Sequence, residues 1–331
     1  MIIINDTYRE KLSMSHRACR RNNQRVVIRL AAFIFPLIYA ANSYSKPDMT
    51  PLGPNIADKG SSFYHFSVST FDSADGNRHY KVWTGVPDKH PPASGYAVLY
   101  MLDGNAVMDR LTDAFLNKLT QGTPPVLIVI GYQTVKPFEL TARTYDYTPP
   151  LRENDGEVGH GEIQGRKSGG SLNFRRLLEE TIAPDAEKGL SVDASKRAIW
   201  GHSYGGLFVL DSFVNSTFFN GYYSASPSLN SDYIVLLSRL EKINTAHFPH
   251  KQLYFMEGSA APRKKADGEE ASAVLNQVRS TLSSLNHEGL AATFWAYPGL
   301  SHGEMFNVSF QRALLTMAAD NVEKQPLPPL Q

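Results

Sequence analysis

Two hydrophobic patterns alternate along most of the chain. Residues 95–102 and 125–132 are near-continuous apolar runs, typical of strands buried on both faces, and a segment with helical spacing lies between them. Strands alternating with helices predict an α/β fold with a mostly parallel, doubly wound sheet. The other predicted elements are antiparallel strands at 63–70 and 79–87, a helix at 171–188, strands at 196–203, 221–228, 252–259 and 291–299, and helices after residue 203, at 269–285 and near 304–320.

Residues 133–170 interrupt this alternation, because they show no clear hydrophobic periodicity. A long connection without secondary structure is typically a lid, a binding loop or a disordered segment. It follows the strand 125–132 and should leave the sheet at its carboxyl edge, where α/β proteins bind ligands. Since no repeat or change of composition marks a second domain, we predict one domain over residues 46–331, with 133–170 as an insertion loop or lid.

The first 45 residues have the three-part layout of a secretory signal. They hold seven Lys and Arg residues against two acidic ones, followed by an apolar run at 30–41 and by small residues before Lys46. This run is shorter than the roughly 20 residues of a membrane span. We predict that residues 1–45 are a signal peptide for export to the periplasm, with an uncleaved anchor in the inner membrane as the alternative.

The rest of the chain carries 26 basic and 30 acidic residues, out of 33 and 32 in the whole sequence. A mildly acidic body argues against nucleic acid as a partner. The single cysteine, Cys19, precedes the apolar run, so a processed chain would contain none. This excludes disulfides, thiol catalysis and cysteine-bound metals, and the sequence predicts no metal or other cofactor.

The stretch AIWGHSYGGLFVL, residues 198–210, contains the pattern G-x-S-x-G at Gly201, Ser203 and Gly205. A predicted strand precedes the pattern and a predicted helix follows it, which is the setting of a nucleophile elbow. In such an elbow the serine lies at the apex of a strained turn, and the glycines avoid collisions across it. We therefore predict that Ser203 is a catalytic nucleophile; the alternative is a glycine-rich turn with a solvated serine.

A serine hydroxyl is a poor nucleophile at neutral pH and needs a base. In α/β hydrolases the base is a histidine on the loop after the last strand, and here that loop carries His302. Two competing histidines fit less well. The side chain of His202 should point away from the site, and His287 ends a predicted helix.

Acyl transfer also needs preorganised donors for the oxyanion. The N–H of Tyr204, directly after the nucleophile, is the first predicted donor. The second is expected from the loop that follows the strand 95–102. Within that loop we predict the N–H of Asn105, with that of Gly104 as the alternative.

The third member of a catalytic triad is not decided by the sequence. The segment at the end of the strand 252–259 and after it offers Glu257, Asp267 and Glu269, none of them in a distinctive setting. Because a histidine can also be oriented by a carbonyl or another polar group, we favour a Ser–His dyad over a triad.

The order of several motifs resembles the esterase D-type branch of the α/β hydrolases over about residues 60–320: YMLDGN, RTYDYTPP, FRRLLEETIAPDAEK, RAIWGHSYGGLFVL, SASPS and PGLSHG. With its leader and its ARTYDYTPP run, the chain looks most like periplasmic trilactone hydrolases, which cleave enterobactin and salmochelin. The resemblance implies the α/β-hydrolase fold, Ser203 as nucleophile and His302 as base. It also implies no clear triad acid, and Arg143 close to the substrate.

A ferric tris-catecholate is a bulky anion, so a mildly acidic protein needs local cations to bind it. Two loops expected at the active edge hold such residues: Arg143, Arg152, Arg166, Lys167, Arg263, Lys264 and Lys265. Aromatic side chains of the insertion and of the strand before it are expected to lie against catechol rings: Tyr132, Tyr145 and Tyr147. Among all these residues, Arg143 and Tyr145 are the predicted substrate-binding pair.

The sequence therefore predicts a secreted serine esterase acting on a small-molecule ester, an apo- or ferric catecholate trilactone siderophore. A general secreted carboxylesterase or acyltransferase on the same scaffold is the first alternative. The second alternative is a non-catalytic binding protein that uses a hydrolase fold.

Overall fold

Twelve strands lie in the part of the chain that the computed structural model describes, which is residues 47–152, 158–159, 161–244, 250–260 and 265–319. They are β1 (Tyr64–Asp72), β2 (His79–Pro87), β3 (Tyr96–Met101), β4 (Val126–Tyr132), β5 (Leu151–Arg152), β6 (Val158–Gly159), β7 (Glu162–Ile163), β8 (Arg166–Lys167), β9 (Val192–His202), β10 (Gly221–Ala225), β11 (Gln252–Gly258) and β12 (Ala291–Tyr297). Eight strands form one sheet in the order β1-β2-β4-β3-β9-β10-β11-β12. The four short strands pair as two hairpins, β5 with β6 and β7 with β8.

The helices of the described residues are α1 (Ile56–Lys59), α2 (Gly104–Arg110), α3 (Asp113–Thr120), α4 (Leu140–Tyr147), α5 (Ser171–Leu177), α6 (Ala183–Ala186), α7 (Tyr204–Asn215), α8 (Val235–Leu240), α9 (Lys265–His287) and α10 (Glu304–Ala318). A π-helical stretch, Leu178–Ile182, joins α5 to α6. It ends just before Pro184, whose missing N–H cannot continue the α-helical ladder.

The sheet is mostly parallel. β1 and β2 are antiparallel to each other and β2 is antiparallel to β4, whereas β4, β3, β9, β10, β11 and β12 run parallel to their neighbours. The carboxyl ends of these six strands therefore lie on one edge, where ligands bind in folds of this kind. The predicted α/β architecture with a doubly wound sheet is confirmed.

Helices cover both faces of the sheet, and β9 shows how the two core layers are built. Because side chains alternate along a strand, Ile199 packs into the layer that holds Phe208 of α7. Trp200 packs into the opposite layer, with its ring centre 5.3 Å from that of Phe306 and 5.8 Å from that of Phe310, both on α10. Burial on both faces explains the near-continuous apolar runs of β3 and β4.

The insertion at 133–170 has more regular structure than its pattern predicts, since it contains α4 and both hairpins. Asp146 of α4 is fully buried, 2.9 Å from Nε of Arg78, and accepts hydrogen bonds from the hydroxyls of Tyr80 and Tyr132 at 2.9 and 3.0 Å. Its partners on β2 and just before it lie more than 60 residues away in sequence. Local periodicity therefore carries no trace of this anchoring.

In the described part of the chain, no helix has the length and the apolar character to span a membrane. The predicted leader, residues 1–45, lies outside the described residues.

Candidate active site

Ser203 occupies the sharp turn between β9 and α7, as the sequence predicts. Its backbone has φ 60° and ψ −116°, a conformation that L-residues rarely adopt and that marks strain at functional sites. A Cβ at Gly201 would lie 2.3 Å from the carbonyl oxygen of Gly205, and one at Gly206 would lie 2.7 Å from that of Ala225. A Cβ at Gly205 would meet only ordinary contacts at 3.6 Å. The second glycine that the turn requires is therefore Gly206 rather than Gly205.

A second hydroxyl lies against the predicted nucleophile. The Oγ atoms of Ser203 and Ser228 are 3.0 Å apart, and the N–H of Ser228 donates to the carbonyl of Ser203 at 3.2 Å. Ser228 is buried and follows β10, the neighbour of β9 in the sheet. Sequence reasoning missed this residue. Its signal is the SASPS run, which ends a strand adjacent to the elbow.

His302 lies on the loop between β12 and α10, where the sequence places the base, and its side chain is half-buried. Burial, and then the charge of Arg143, lower the pKa of His302 to about 4. The imidazole is therefore neutral at neutral pH and able to accept a proton from a serine hydroxyl. Glu304 helps to hold this loop, because its carboxylate accepts hydrogen bonds from the N–H and the hydroxyl of Ser301 at 2.8 and 2.5 Å.

The expectation that His202 points away from the site is wrong. His202 is buried, its ring centre is 4.6 Å from that of His302, and its Nε2 lies 2.8 Å from the carbonyl oxygen of His302. The other competitor, His287, is exposed at the end of α9, as the sequence predicts. His202 therefore contacts the loop between β12 and α10, called the base loop below, whereas His287 does not belong to the site.

The two predicted oxyanion donors begin helices near the elbow. Tyr204 is the first residue of α7 and Asn105 the second residue of α2, so neither N–H has an acceptor within its own helix. The loop before α2 approaches the elbow, with the Asp103 carboxylate 3.7 Å from where a Cβ of Gly205 would lie. The structure thus brings both predicted donors to the same end of the sheet as Ser203.

The side chain of Asn105 fixes the start of α2 to the end of β4. Its amide donates to the carbonyls of Tyr132 and Thr134 at 3.0 and 2.9 Å, and its Oδ1 accepts from the N–H of Tyr132 at 2.8 Å. A Cβ at Gly131 would lie 2.2 Å from that Oδ1. A Cβ at Gly104 would lie 2.6 Å from the carbonyl carbon of Ile130. Both glycines are therefore needed for this close approach.

Arg143 is buried and forms a bidentate ion pair with Asp103. Its Nε and Nη2 donate to the two carboxylate oxygens of Asp103, both at 2.8 Å. Its guanidinium carbon also lies 5.4 Å from the ring centre of Tyr204, and its charge helps to lower the pKa of His302. The sequence places Arg143 near the substrate as a binding residue. In the structure Arg143 links α4 to the loop between β3 and α2, called the oxyanion loop below, and two of its nitrogen atoms are committed to Asp103. Its predicted role in substrate binding stays a prediction.

Two of the three tyrosines expected against catechol rings lie inside the protein. Tyr132 is buried, and its hydroxyl donates to Asp146 at 3.0 Å. Tyr147 is fully buried, and its hydroxyl accepts the N–H of Asp103 at 3.2 Å. The expectation is wrong for both, because each serves to anchor α4.

Tyr145 of α4 is half-buried and contacts Arg78, the residue before β2, and Asn173 of α5. Its ring centre lies 4.6 Å from the guanidinium carbon of Arg78, and its hydroxyl accepts a hydrogen bond from Asn173 at 3.2 Å. Tyr145 therefore lies on a different side of α4 from Arg143. Its predicted role in substrate binding stays a prediction.

The predicted cations of the insertion differ in their burial. Arg166 of β8 is half-buried and Lys167 is exposed. Burial raises the pKa of the Tyr204 hydroxyl, while the charges of Arg143 and Arg166 oppose that rise. Two cations therefore lie around this tyrosine, next to the elbow. The other four predicted cations have side chains outside the part of the structure that is described: Arg152, Arg263, Lys264 and Lys265.

Of the three candidate acids, only Glu257 has a described side chain. One of its carboxylate oxygens accepts hydrogen bonds from the hydroxyl of Ser226 at 2.8 Å and the N–H of Gly258 at 3.2 Å, and burial raises its pKa to about 7. The side chains of Asp267 and Glu269 lie outside the described ones. Among the described residues, no group of three His, Cys, Asp or Glu side chains is placed to hold a metal ion.

A strained elbow serine, a neutral histidine after the last strand and two helix N-termini at one sheet edge define a serine hydrolase of the α/β-hydrolase fold. The chain matches the Esterase family model over residues 73–317 and belongs to this family.

Similar proteins point to the same class. The chain is 55% identical over 287 residues to the apo-salmochelin esterase of Escherichia coli O6:H1 (strain CFT073), covering 86% of this chain and 89% of that protein. Its fold matches the solved structure of the enterobactin and salmochelin hydrolase IroE with a TM-score of 0.71 and 53% identity, over 81% of this chain and 100% of the other. A structure of IroE in complex with DFP matches with a TM-score of 0.72 and 53% identity over the same shares. The protein is a carboxylic ester hydrolase, which confirms the enzyme prediction over the non-catalytic alternative.

Proposed function

We propose that this protein hydrolyses the ester bonds of a catecholate trilactone siderophore of the enterobactin and salmochelin type. One observation carries the proposal: 55% identity to an apo-salmochelin esterase along 89% of that protein's length. The identity is not confined to the elbow. The match runs over 287 residues, which is 86% of this chain, and function in α/β hydrolases depends on loops and sites outside the elbow as well as on the elbow itself.

In the proposed reaction, Oγ of Ser203 attacks an ester carbonyl while His302 takes up the hydroxyl proton. The tetrahedral oxyanion is bound by the N–H groups of Tyr204 and Asn105, with the positive charge of Arg143 nearby. Collapse of this intermediate breaks the ester bond, and His302 returns the proton to the departing serine hydroxyl of the siderophore. A water molecule, deprotonated by His302, then releases the acid product from Ser203.

The local charges favour an anionic substrate. The chain without its first 45 residues has 26 basic and 30 acidic residues, so its net charge does not attract an anion. Around Tyr204, however, both Arg143 and Arg166 act on the hydroxyl. Arg166 is half-buried on the β7–β8 hairpin of the insertion. We assign Arg166 the contact with the catecholate oxygens. Arg143 is less available for this contact, because Asp103 holds its guanidinium group.

We also propose that the enzyme works in the periplasm, exported by residues 1–45 or held at the inner membrane by them. The support is the arrangement of the leader: seven basic residues, an apolar run and then small residues. A siderophore hydrolase in that compartment would meet its substrate outside the cytoplasm.

The test compares kcat/KM on apo- and ferric enterobactin, apo- and ferric salmochelin, and p-nitrophenyl butyrate. We expect kcat/KM for the better siderophore form to exceed that for the simple ester by at least about a hundredfold. Ser203→Ala is the matched control and should lose about a millionfold in kcat on every substrate. A simple ester hydrolysed as fast as the siderophores would favour the general carboxylesterase.

A further inference from the structure

The alternation of side chains along β9 places His202 beneath the base loop. Trp200 and His202 are two residues apart on the strand and share the face that α10 covers. α10 begins at Glu304, directly after the base loop, so His202 at the strand end faces that loop. Its ring centre lies 4.6 Å from that of His302 and 5.5 Å from that of Phe306.

We propose that His202 is a positioning residue for the base: its Nε2–H, donated to the main-chain carbonyl of His302, holds the imidazole of His302 at working distance from Ser203. The nitrogen and the carbonyl oxygen are 2.8 Å apart. This inference rests on the proposed role of His302 as the base.

The hydrogen bond fixes the state of His202. A carbonyl oxygen only accepts, so Nε2 of His202 must carry the hydrogen. Burial, and then the neighbouring His302, lower the pKa of His202 well below its usual range. His202 is therefore a neutral donor across the working pH range, and it supports the base without adding a charge beside it.

The contact is important because it is made to the main chain of the base itself, whereas the hydrogen bonds of Glu304 hold the neighbouring Ser301. Ser301 and Gly303, on either side of His302, are both exposed. A general base must come within about 2.6–3.2 Å of the proton it takes, and a misplacement of about 1 Å costs on the order of a hundredfold in rate. His202 is buried and is the residue before Ser203. Its hydrogen bond is thus a direct tie between the main chain of the base and the main chain of the nucleophile.

The test uses three substitutions that separate the donor from the packing. The amide nitrogen of Gln reaches the position of Nε2, that of Asn reaches only the position of Nδ1, and Leu fills the space without a donor. We expect His202→Gln to keep kcat within about threefold of wild type, and His202→Asn and His202→Leu to lose at least about tenfold with KM changed less than about twofold. The rate of inactivation by diisopropyl fluorophosphate should fall in parallel, because that reaction needs Ser203 and its base but no siderophore contacts.

Trp200→Phe is the matched control, because Trp200 packs on the same face against Phe306 and donates to Ser309 at 3.1 Å, away from the base loop. It should lower the melting temperature without changing kcat by more than about twofold. In the His202 variants the acid limb of the pH profile should stay in place, since the pKa of His302 is set by burial and Arg143. A shift of this limb to higher pH would show that water reaches the imidazole of His302. That result is expected if His202 only fills space.

Equal activity in the Gln, Asn and Leu variants, or losses that follow the melting temperature alone, would overturn the proposal. If the Leu variant does not fold, the difference between Gln and Asn decides. His302→Gln separates the positioning role of His202 from the assignment of His302 as the base. If it is as inactive as Ser203→Ala while the His202 series is flat, only the positioning role fails; if it keeps wild-type activity, the base assignment itself fails.

Discussion

The pKa of His302 sets the pH range over which this site has a base. The pKa of histidine in proteins is usually about 6.5, whereas burial and the charge of Arg143 lower the pKa of His302 to about 4. Only the neutral imidazole accepts a proton, so activity should be complete well above this pKa and lost as the pH falls through it. The enzyme should therefore tolerate acid better than a hydrolase with an ordinary histidine.

We expect kcat/KM for p-nitrophenyl butyrate to stay on its plateau down to about pH 5 and to fall about tenfold per pH unit below the pKa of His302. Arg143→Met removes the nearby charge and should raise the midpoint, though not to the ordinary value, because burial persists. Arg143→Lys keeps the charge and should leave the midpoint where it is. A wild-type midpoint near the ordinary histidine value would contradict the assignment of His302.

Glu257→Gln distinguishes a dyad from a triad. The glutamine oxygen can accept the same hydrogen bonds from Ser226 and Gly258 that the carboxylate accepts at 2.8 and 3.2 Å. We expect kcat to fall by less than about tenfold, whereas loss of a triad acid costs about 10⁴. Steady-state kinetics on enterobactin measures the difference. A loss near the larger figure would identify Glu257 as the acid and end the dyad interpretation.

Single residues with a sequence signature could be placed from the sequence, and residues defined by contact could not. Gly201 and Ser203 are marked by the strand–turn–helix motif, and His302 by its position after the last strand. Ser228 and His202 have only indirect signals, the SASPS run and strand alternation, because their neighbours become known only when β9, β10 and the base loop are brought together. Strand alternation, counted from Trp200, contains the information that His202 faces α10.

At the level of elements, α4 and the oxyanion loop form one unit. Arg143 of α4 binds Asp103, and Asp103 has φ 53°, a left-handed conformation that is uncommon outside glycine. Tyr147, one turn along α4, accepts the N–H of the same residue. The helix therefore holds the strained loop that presents Asn105 to the site.

Arg143→Ala should consequently harm catalysis on every substrate, not only on an anionic one. Removing one partner of a buried ion pair lowers the free energy of unfolding by about 3–5 kcal/mol, and the oxyanion loop loses its support. We expect kcat to fall at least about tenfold for both enterobactin and p-nitrophenyl butyrate. Urea denaturation and steady-state kinetics measure the two effects.

Arg175→Ala is the control for this experiment. Arg175 of α5 forms a comparable buried pair with Asp211 of α7 at 3.0 Å, without contact to the oxyanion loop. It should cost similar stability, with kcat within about twofold of wild type. If Arg143→Ala raised only KM for the siderophore, Arg143 would instead be a substrate-binding residue, as the sequence first indicated.

The strands of this fold could be predicted because burial on both faces leaves long apolar runs. α4 could not, because it is short and is held by ion pairs and tyrosine hydroxyls rather than by an apolar stripe. Asp146 meets Arg78, and Arg143 meets Asp103, across separations that no local window spans. The pattern of residues 133–170 is therefore that of a loop, although the segment contains a helix and two hairpins.

For the whole molecule, the uneven charge bears on where the enzyme works. Seven of the 33 basic residues lie in the first 45 positions, and the remainder of the chain has an acidic excess of four. A basic segment followed by an apolar run is read by the export machinery, and an acidic body does not resist translocation.

We therefore expect the first 60 residues to export a fused alkaline phosphatase, which becomes active only where its disulfides form. The control fusion carries residues 46–60 alone and should stay inactive inside the cell. The mass of the exported full-length enzyme then separates cleavage near Ser45 from retention as an anchor. An inactive full-leader fusion would place the enzyme in the cytoplasm, where its substrate would be a siderophore already imported.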